Sequence, residues 1–330
     1  MNIKLGYALS SEEHSPKDLI RYAKMAEDSG FSFALISDHY HPWIKRQGHS
    51  PFVWNVIGGI SQATHRLSLG TGVTCATMRI HPAIIAQAAA TAAVMMPGRF
   101  FLGLGTGENL NEHVLGRHWP PIQVRQEMLE EAVKILRLLW RGGNQNYHGK
   151  YYTVEYAQVF DLPAEPPPIM IAAAGPTSAE LAGSIGDGLI STVPQETIVK
   201  KFRASDSGAE KPCYGQMTVC WAETEQQAKK TAKEWWPVAA VPGALMSDLA
   251  TPAQFEAAAK LITEDAVAST LVCGPDPEKH LKEIRSYGDA GFDHVYIHQV
   301  GPDQEGFFRF YQREIFPKLE ESGKEARSLH

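Results

Sequence analysis

The chain has 330 residues, 44% hydrophobic and 21% charged, with a formal net charge of -6. That balance is ordinary for a globular protein, and the negative sign gives no electrostatic basis for binding nucleic acid or an anionic membrane surface. No apolar run approaches the ~20 residues that span a bilayer, and no basic segment leads into an apolar core after Met1, so no secretion signal and a cytoplasmic location are expected.

Ile3 to Leu9 reads as a first strand. Pro16 to Ser29 places Leu19, Ile20, Ala23 and Ala26 at helical spacing, and Gly30 stands where a C-cap belongs. Phe33 to Ser37 reads as strand two, Phe52 to Thr64 as a helix, and Leu67 to Thr74 as strand three. Pro82 opens an alanine-rich helix that runs to Met96. Arg99 to Leu104 is strand four, followed by the long amphipathic helix Ile122 to Trp140. Asn144 to Asp161 reads as an inserted β-hairpin turning at His148-Gly149-Lys150. Strands five to eight are Ile169 to Ala174, Gly188 to Thr192, Tyr214 to Ala222 and Asp293 to Gln299. Glu223 to Ala268 reads as a helical insertion, and Phe307 to Leu319 as a closing helix. This alternation predicts one α/β domain over 1–330, a (β/α)8 TIM barrel with a hairpin and a helical insertion at the C-terminal rim.

Such a barrel gathers its strand-end loops at one mouth. Strand one is followed by Glu12. Strand two is followed by Ser37-Asp38-His39-Tyr40-His41-Pro42-Trp43, an acid, two imidazoles and an indole. Strand three ends in Gly70-Thr71-Gly72-Val73-Thr74-Cys75, and strand four opens into Gly103-Leu-Gly105-Thr106-Gly107-Glu108-Asn109 with Asn111 just beyond. Titratable groups with one large aromatic mark a small-molecule site. The glycine run is not G-x-G-x-x-G and follows the fourth strand, which speaks against a dinucleotide fold; its glycines would let backbone approach a flat ligand. Ala172-Ala173-Ala174-Gly175-Pro176-Thr177 either holds a phosphate on a helix start or packs a helix closely on a strand. His39, His41 and His49 match no zinc signature, and no metal is expected. No G-x-S-x-G elbow is present. The cysteines Cys75, Cys213, Cys220 and Cys273 form no C-x-x-C pair.

These strand-end motifs, with Ile171-Ala-Ala-Ala-Gly175-Pro176, resemble the luciferase-like superfamily. Within it the chain is most similar to coenzyme F420-dependent glucose-6-phosphate dehydrogenases and F420-dependent secondary alcohol dehydrogenases. The resemblance implies an F420-dependent oxidoreductase that moves hydride between an alcohol or sugar hydroxyl and the 8-hydroxy-5-deazaflavin ring. It implies catalytic roles for His39, Trp43 and Glu108, with Glu12 near the substrate. His39, at a near-neutral pKa, suits the base and Glu108 the acid, although Glu12 is an alternative base. Asp38, Thr74, Thr106, Gly107, Glu108 and Asn111 match cofactor contacts. Gly72-Val73 matches a non-prolyl cis peptide behind the ring, and Ala173, Ala174, Gly175 and Thr192 match positions near the tail phosphate. A homodimer is implied, packed through the alanine-rich helix. The alternatives are a glucose-6-phosphate dehydrogenase proper, an FMN-dependent monooxygenase or double-bond reductase, and a non-catalytic deazaflavin-binding protein. Thr192-Val193-Pro194-Gln195 and Ala266-Val267-Ala268-Ser269 offer no cation where sugar-phosphate members place basic residues. An uncharged hydroxyl compound is therefore expected as substrate rather than glucose 6-phosphate, with Arg79, Lys200, Lys201 and Lys260 as the cations that bear on this.

Overall fold

Side chains alternate in and out along each strand of a barrel, so the inward set shows how the strands are registered. In the computed structural model, which describes residues 3–205 and 210–319, that set is Ala8, Phe33, Leu35, Phe101, Met170, Ile190, Tyr214 and Tyr296. The strands are β1 (Lys4–Leu9), β2 (Phe33–Ile36), β3 (Ser68–Thr71), β4 (Phe100–Gly105), β5 (Ile169–Ala172), β6 (Gly188–Ser191), β7 (Cys213–Cys220) and β8 (His294–Gln299). Each pairs in parallel with the next, and β8 pairs with β1 through Lys4↔His294 to Tyr7↔Ile297, closing an 8-strand barrel. A larger apolar layer lies between the barrel and its helices.

The helices begin and end where their chemistry directs. Ser15 caps Pro16–Ser29 by accepting the Asp18 amide, and Gly30 ends it at φ 101. The hairpin is present as Gln145–His148 paired with Thr153–Ala157. The helical insertion is broken into short pieces, among them Glu225–Trp235, Gly243–Asp248, Pro252–Ala259 and Glu264–Ala268. Among the elements not anticipated are the helix Glu196–Arg203, which buries Ile198, Val199 and Phe202, and the two-residue strand Val272–Cys273 beside β7. No helix among the described residues is long and apolar enough to cross a membrane.

Strand three departs from the continuous run expected over Leu67–Thr74. It stops at Thr71, the Gly72–Val73 peptide is cis, and pairing resumes with Thr74–Cys75 against Leu104 and Gly105. The glycines of β4 account for the fit. A Cβ on Gly103 would stand 1.9 Å from the Thr71 carbonyl, one on Gly105 2.7 Å from Val73, and one on Gly107 2.4 Å from the Cys75 sulfur. These glycines approach strand three closely. Glycine spacing brings the segment 72–75 down onto the barrel rim.

Candidate active site

The turn Ser10–Glu13, closed by the Glu13 amide on the Ser10 carbonyl at 3.3 Å, ends β1 and sends two successive carboxylates to opposite sides. Glu12 turns toward β2. Its Oε2 accepts the Ser37 hydroxyl at 2.7 Å and the Ser10 hydroxyl at 3.0 Å, and its Oε1 lies 2.6 Å from His39 Nδ1. Burial disfavours charge on both groups, yet each stabilises the other. The imidazolium and the Ser37 hydroxyl hold the Glu12 carboxyl at about 2. Against the same burial penalty, the Glu12 carboxylate, helped by Glu108 and Asp38, holds the His39 ring at about 9. The near-neutral imidazole expected from sequence is therefore replaced by a resting ion pair.

Trp43 meets His39 edge to face at 5.1 Å and Phe255 of the insertion at 5.1 Å. Gln47 Oε1 accepts the Trp43 and Ile44 amides, while its Nε2 donates to the Trp235 carbonyl at 3.2 Å. One buried amide thus fixes the indole and ties the β2 loop to the insertion. Around Trp43 and Phe255 stand Ile44, Leu110, Val238, Val241, Met246 and Leu249, an apolar wall.

Asp38 directs both oxygens into the protein: Oδ2 accepts Thr74 Oγ1 at 2.8 Å and Oδ1 accepts Arg79 Nη2 at 2.7 Å. Arg79 also donates its amide to Glu112 Oε2 at 2.6 Å, and its Nε lies 3.5 Å from Glu112 Oε1. The chain Thr74–Asp38–Arg79–Glu112 locks three strand-end loops together, and all four side chains are buried. Asn111 Oδ1 accepts the Tyr40 and His41 amides, and its Nδ2 lies 3.5 Å from Glu108 Oε2. Glu108 begins the short helix Asn109–Glu112, with Thr106, Gly107 and Glu108 half-buried. Val73 packs on the inner set, forming part of the mouth floor.

The far side is different. Ala173 is buried, Ala174 and Thr192 are exposed, and a Cβ on Gly175 would meet nothing within 4 Å. Pro176–Ile185 starts there, its first turn pinned by the Ser178 hydroxyl bonding both the amide and the carbonyl of Gly175.

A family model described as luciferase-like monooxygenase matches residues 2–294. The chain belongs to this luciferase-like family. Over 328 residues it is 36% identical to a protein of Microbacterium testaceum named F420-dependent glucose-6-phosphate dehydrogenase, covering 96% of this chain and 97% of that one. A relative of the same name from Nakamurella multipartita is also 36% identical over 328 residues, covering 96% of each. An F420-dependent secondary alcohol dehydrogenase in complex with an F420-acetone adduct superposes with a TM-score of 0.88 at 30% identity, covering 96% of this chain and 98% of that one.

As a luciferase-like barrel, the chain brings Glu12, Asp38, His39, Trp43, Val73, Thr74, Glu108 and Asn111 to one mouth. Several neighbours escaped the sequence reading. Arg125, 5% exposed, donates to the Gly107 carbonyl at 3.1 Å, the Pro120 carbonyl at 3.1 Å and Ser247 Oγ at 3.2 Å, with its guanidinium 4.1 Å from the Trp119 ring centre. Glu13 takes the opposite direction to Glu12 and meets His298 at 2.8 Å. The signal for His298 was its place two residues after the inward Tyr296.

Proposed function

We propose that this chain is a coenzyme F420-dependent oxidoreductase that exchanges hydride between a hydroxyl-bearing carbon and the deazaflavin ring. The observation that carries this reading is the buried Glu12–His39 pair walled by Trp43 and set beside Glu108, on a barrel whose relatives are named for F420. The residues fit the cofactor. Val73 and the 72–75 segment offer a flat, small-residue floor for a ring. Thr106, Gly107 and Asn111 line its edge. Beside Ala173, Ala174, Gly175 and Thr192, the first amides of Pro176–Ile185 have no intrahelical acceptor, a setting for the tail phosphate. Asp38 and Thr74, whose polar atoms are spent on each other and on Arg79, support this floor from behind.

When bound, the deazaflavin supplies the hydride acceptor. Once its Nε2 proton has left, His39 takes the hydroxyl proton at that nitrogen, and Glu12, facing Nδ1, holds the imidazolium that re-forms. Glu108 holds, at a carboxyl oxygen, the proton that balances the hydride. Trp43 and Phe255 exclude water from the substrate side.

The pocket favours an uncharged hydroxyl compound over a sugar phosphate. Arg79 is neutralised by Asp38 and Glu112, and Arg125 spends its donors on two carbonyls and a hydroxyl. Lys200 and Lys201 pair on the surface with Glu196 and Glu180. A phosphate dianion buried against this wall would lack a partner, which is costly. A homodimer rests on the groove between Val53–Ala63 and Pro82–Met95, lined by Trp54 and Ile85, where Phe52 and Ile84 are more than half exposed.

The test is spectral titration with F420 followed by kcat/KM for small secondary alcohols and for glucose 6-phosphate. Tight binding of FMN without F420 binding would overturn the cofactor reading. A preference for the sugar phosphate above about tenfold, or ~1.4 kcal/mol, would overturn the substrate reading. A monomeric mass in sedimentation at micromolar protein would remove the dimer.

A further inference from the structure

The Ser10–Glu13 turn builds a second carboxylate–imidazole pair that the reaction above does not use. Glu13 Oε2 lies 2.8 Å from His298 Nε2, and Glu13 Oε1 accepts the Gly301 amide at 3.1 Å. The side chains of His298 and Glu13 are 3% and 0% exposed. Trp236 of the helical insertion closes over the imidazole edge to face at 4.5 Å. His298 Nδ1 is buried and has no hydrogen-bond partner among the described residues. Leaving such an atom bare in a finished core is costly, so it points to a partner that arrives later.

The strand's alternation says where that partner would be. Tyr296 belongs to the inner set of the barrel, and two residues on His298 occupies the same face at the C-terminal end of β8, the mouth end. Its neighbour β1 ends in Ser10 and Glu12, and β2, on the other side of β1, ends at Ser37 and His39. The two imidazoles therefore flank the end of β1 on the mouth, two strand spacings or about 10 Å apart at their backbones. A Glu13 carboxylate accepts and cannot donate, so it takes the proton on His298 Nε2 and leaves Nδ1 as the ring nitrogen without a partner among the described residues.

We propose that His298 is a specificity-determining residue: its Nδ1 makes a hydrogen bond with a second hydroxyl of the substrate while the His39 side handles the hydroxyl being oxidised. The favoured substrate is then a diol or polyol rather than a monohydric alcohol of the same skeleton. Glu13, anchored on the Gly301 amide, is the positioning residue that orients the ring. The inference rests on the reading that this mouth oxidises alcohols with F420.

The experiment compares cyclohexanol with cyclohexane-1,3-diol and cyclohexane-1,4-diol, in the wild type and in His298→Phe, which keeps an aromatic ring under Trp236. Wild-type kcat/KM should favour at least one diol by about tenfold, and in the variant the ratio of diol to cyclohexanol should fall to about one. Equal losses on all three substrates, or no loss on any, would overturn the proposal. A wild type inactive on every hydroxyl compound would instead strike the parent reading. A second measurement is independent of turnover and of the variant's folding. In wild-type protein without deazaflavin, the Nδ1 nitrogen resonance of His298 should move on adding the preferred diol and stay still on adding cyclohexanol. A resonance indifferent to every diol would leave the Glu13–His298 pair as a support for Trp236 alone.

Discussion

The mouth has two unlike rims. Over β1 to β4 nearly every polar side chain is committed: Glu12 to His39 and two serines, Asp38 to Thr74 and Arg79, Asn111 to two backbone amides. Over β5 and β6, Ala174 and Thr192 are exposed, and the Ser178 hydroxyl pins Gly175 at the helix start. The contrast follows from what each rim has to do. Proton and hydride transfer tolerate little misplacement, so the groups that perform them are held by buried partners. In the proposed function the second rim receives a long anionic cofactor tail, which needs access and a few amides, and the open helix start at Pro176 has both.

Substitutions should therefore cost much on the first rim and little on the second. The largest expected effect is on rate. Glu108→Gln keeps shape but removes an acid, and turnover should fall ~10²–10⁴-fold with F420 affinity retained. Single-turnover kinetics close to wild type would take Glu108 out of the reaction. Next comes Arg79→Met, which strands Asp38 and Glu112 as buried acids. A loss of about 3–5 kcal/mol is expected in denaturant unfolding, and a loss under 1 kcal/mol would show that Arg79 does not clamp the loops.

A subtler break concerns pH. His39 stands at about 9 against 6.5 for an ordinary imidazole. For alcohol oxidation, kcat/KM should climb with pH until about 9, because the base must first lose its proton. The stability supplied by its pairing is complete below about 6.5 and is lost as pH rises through about 9. On the acid side Glu12, held at about 2 against 4.5, gives up its share as pH falls through that range. Glu12→Gln should move the rising limb of the rate profile down toward 6.5, and an unmoved limb would assign it to another group.

The smallest effects sharpen the contrast through one pair of glycines. Gly107 has φ +77 and no room beside Cys75, so Gly107→Ala should cost about 1–3 kcal/mol. Gly175 is extended and faces open space, so Gly175→Ala should stay within about 0.5 kcal/mol and show its effect only in F420 affinity. Equal melting temperatures for the two variants would erase the distinction.

Most of this rim was legible from residue types. Apolar runs followed by polar clusters located all the barrel strands, because a parallel strand buried on both faces leaves an unbroken hydrophobic stretch. The loop residues Glu12, Asp38, His39, Trp43 and Glu108 stood out as chemistry where packing did not require it. What stayed hidden were relations between distant segments. Nothing local says that Asp38 is spent on Arg79, or that Glu13 finds a histidine 285 positions away. Nothing local showed that Gly103 and Gly105 also make room for strand three. Arg125 lies in a helix read only as amphipathic, and the insertion's Ser247 and the Gly107 carbonyl hold it inside.

The apolar wall has a consequence for how this enzyme can change over generations. Val238, Val241, Met246 and Leu249 belong to a stretch of chain separate from the residues proposed for proton transfer, and that stretch reaches the barrel through packing on Trp43 and Leu110 and through bonds such as Gln47 to Trp235 and Asn109 to Asp248. Substitutions along it can reshape the space offered to a substrate while the Glu12–His39 pair keeps its geometry. Lineages built on this plan are free to exchange one alcohol for another by drift in the wall, with the hydride chemistry inherited intact.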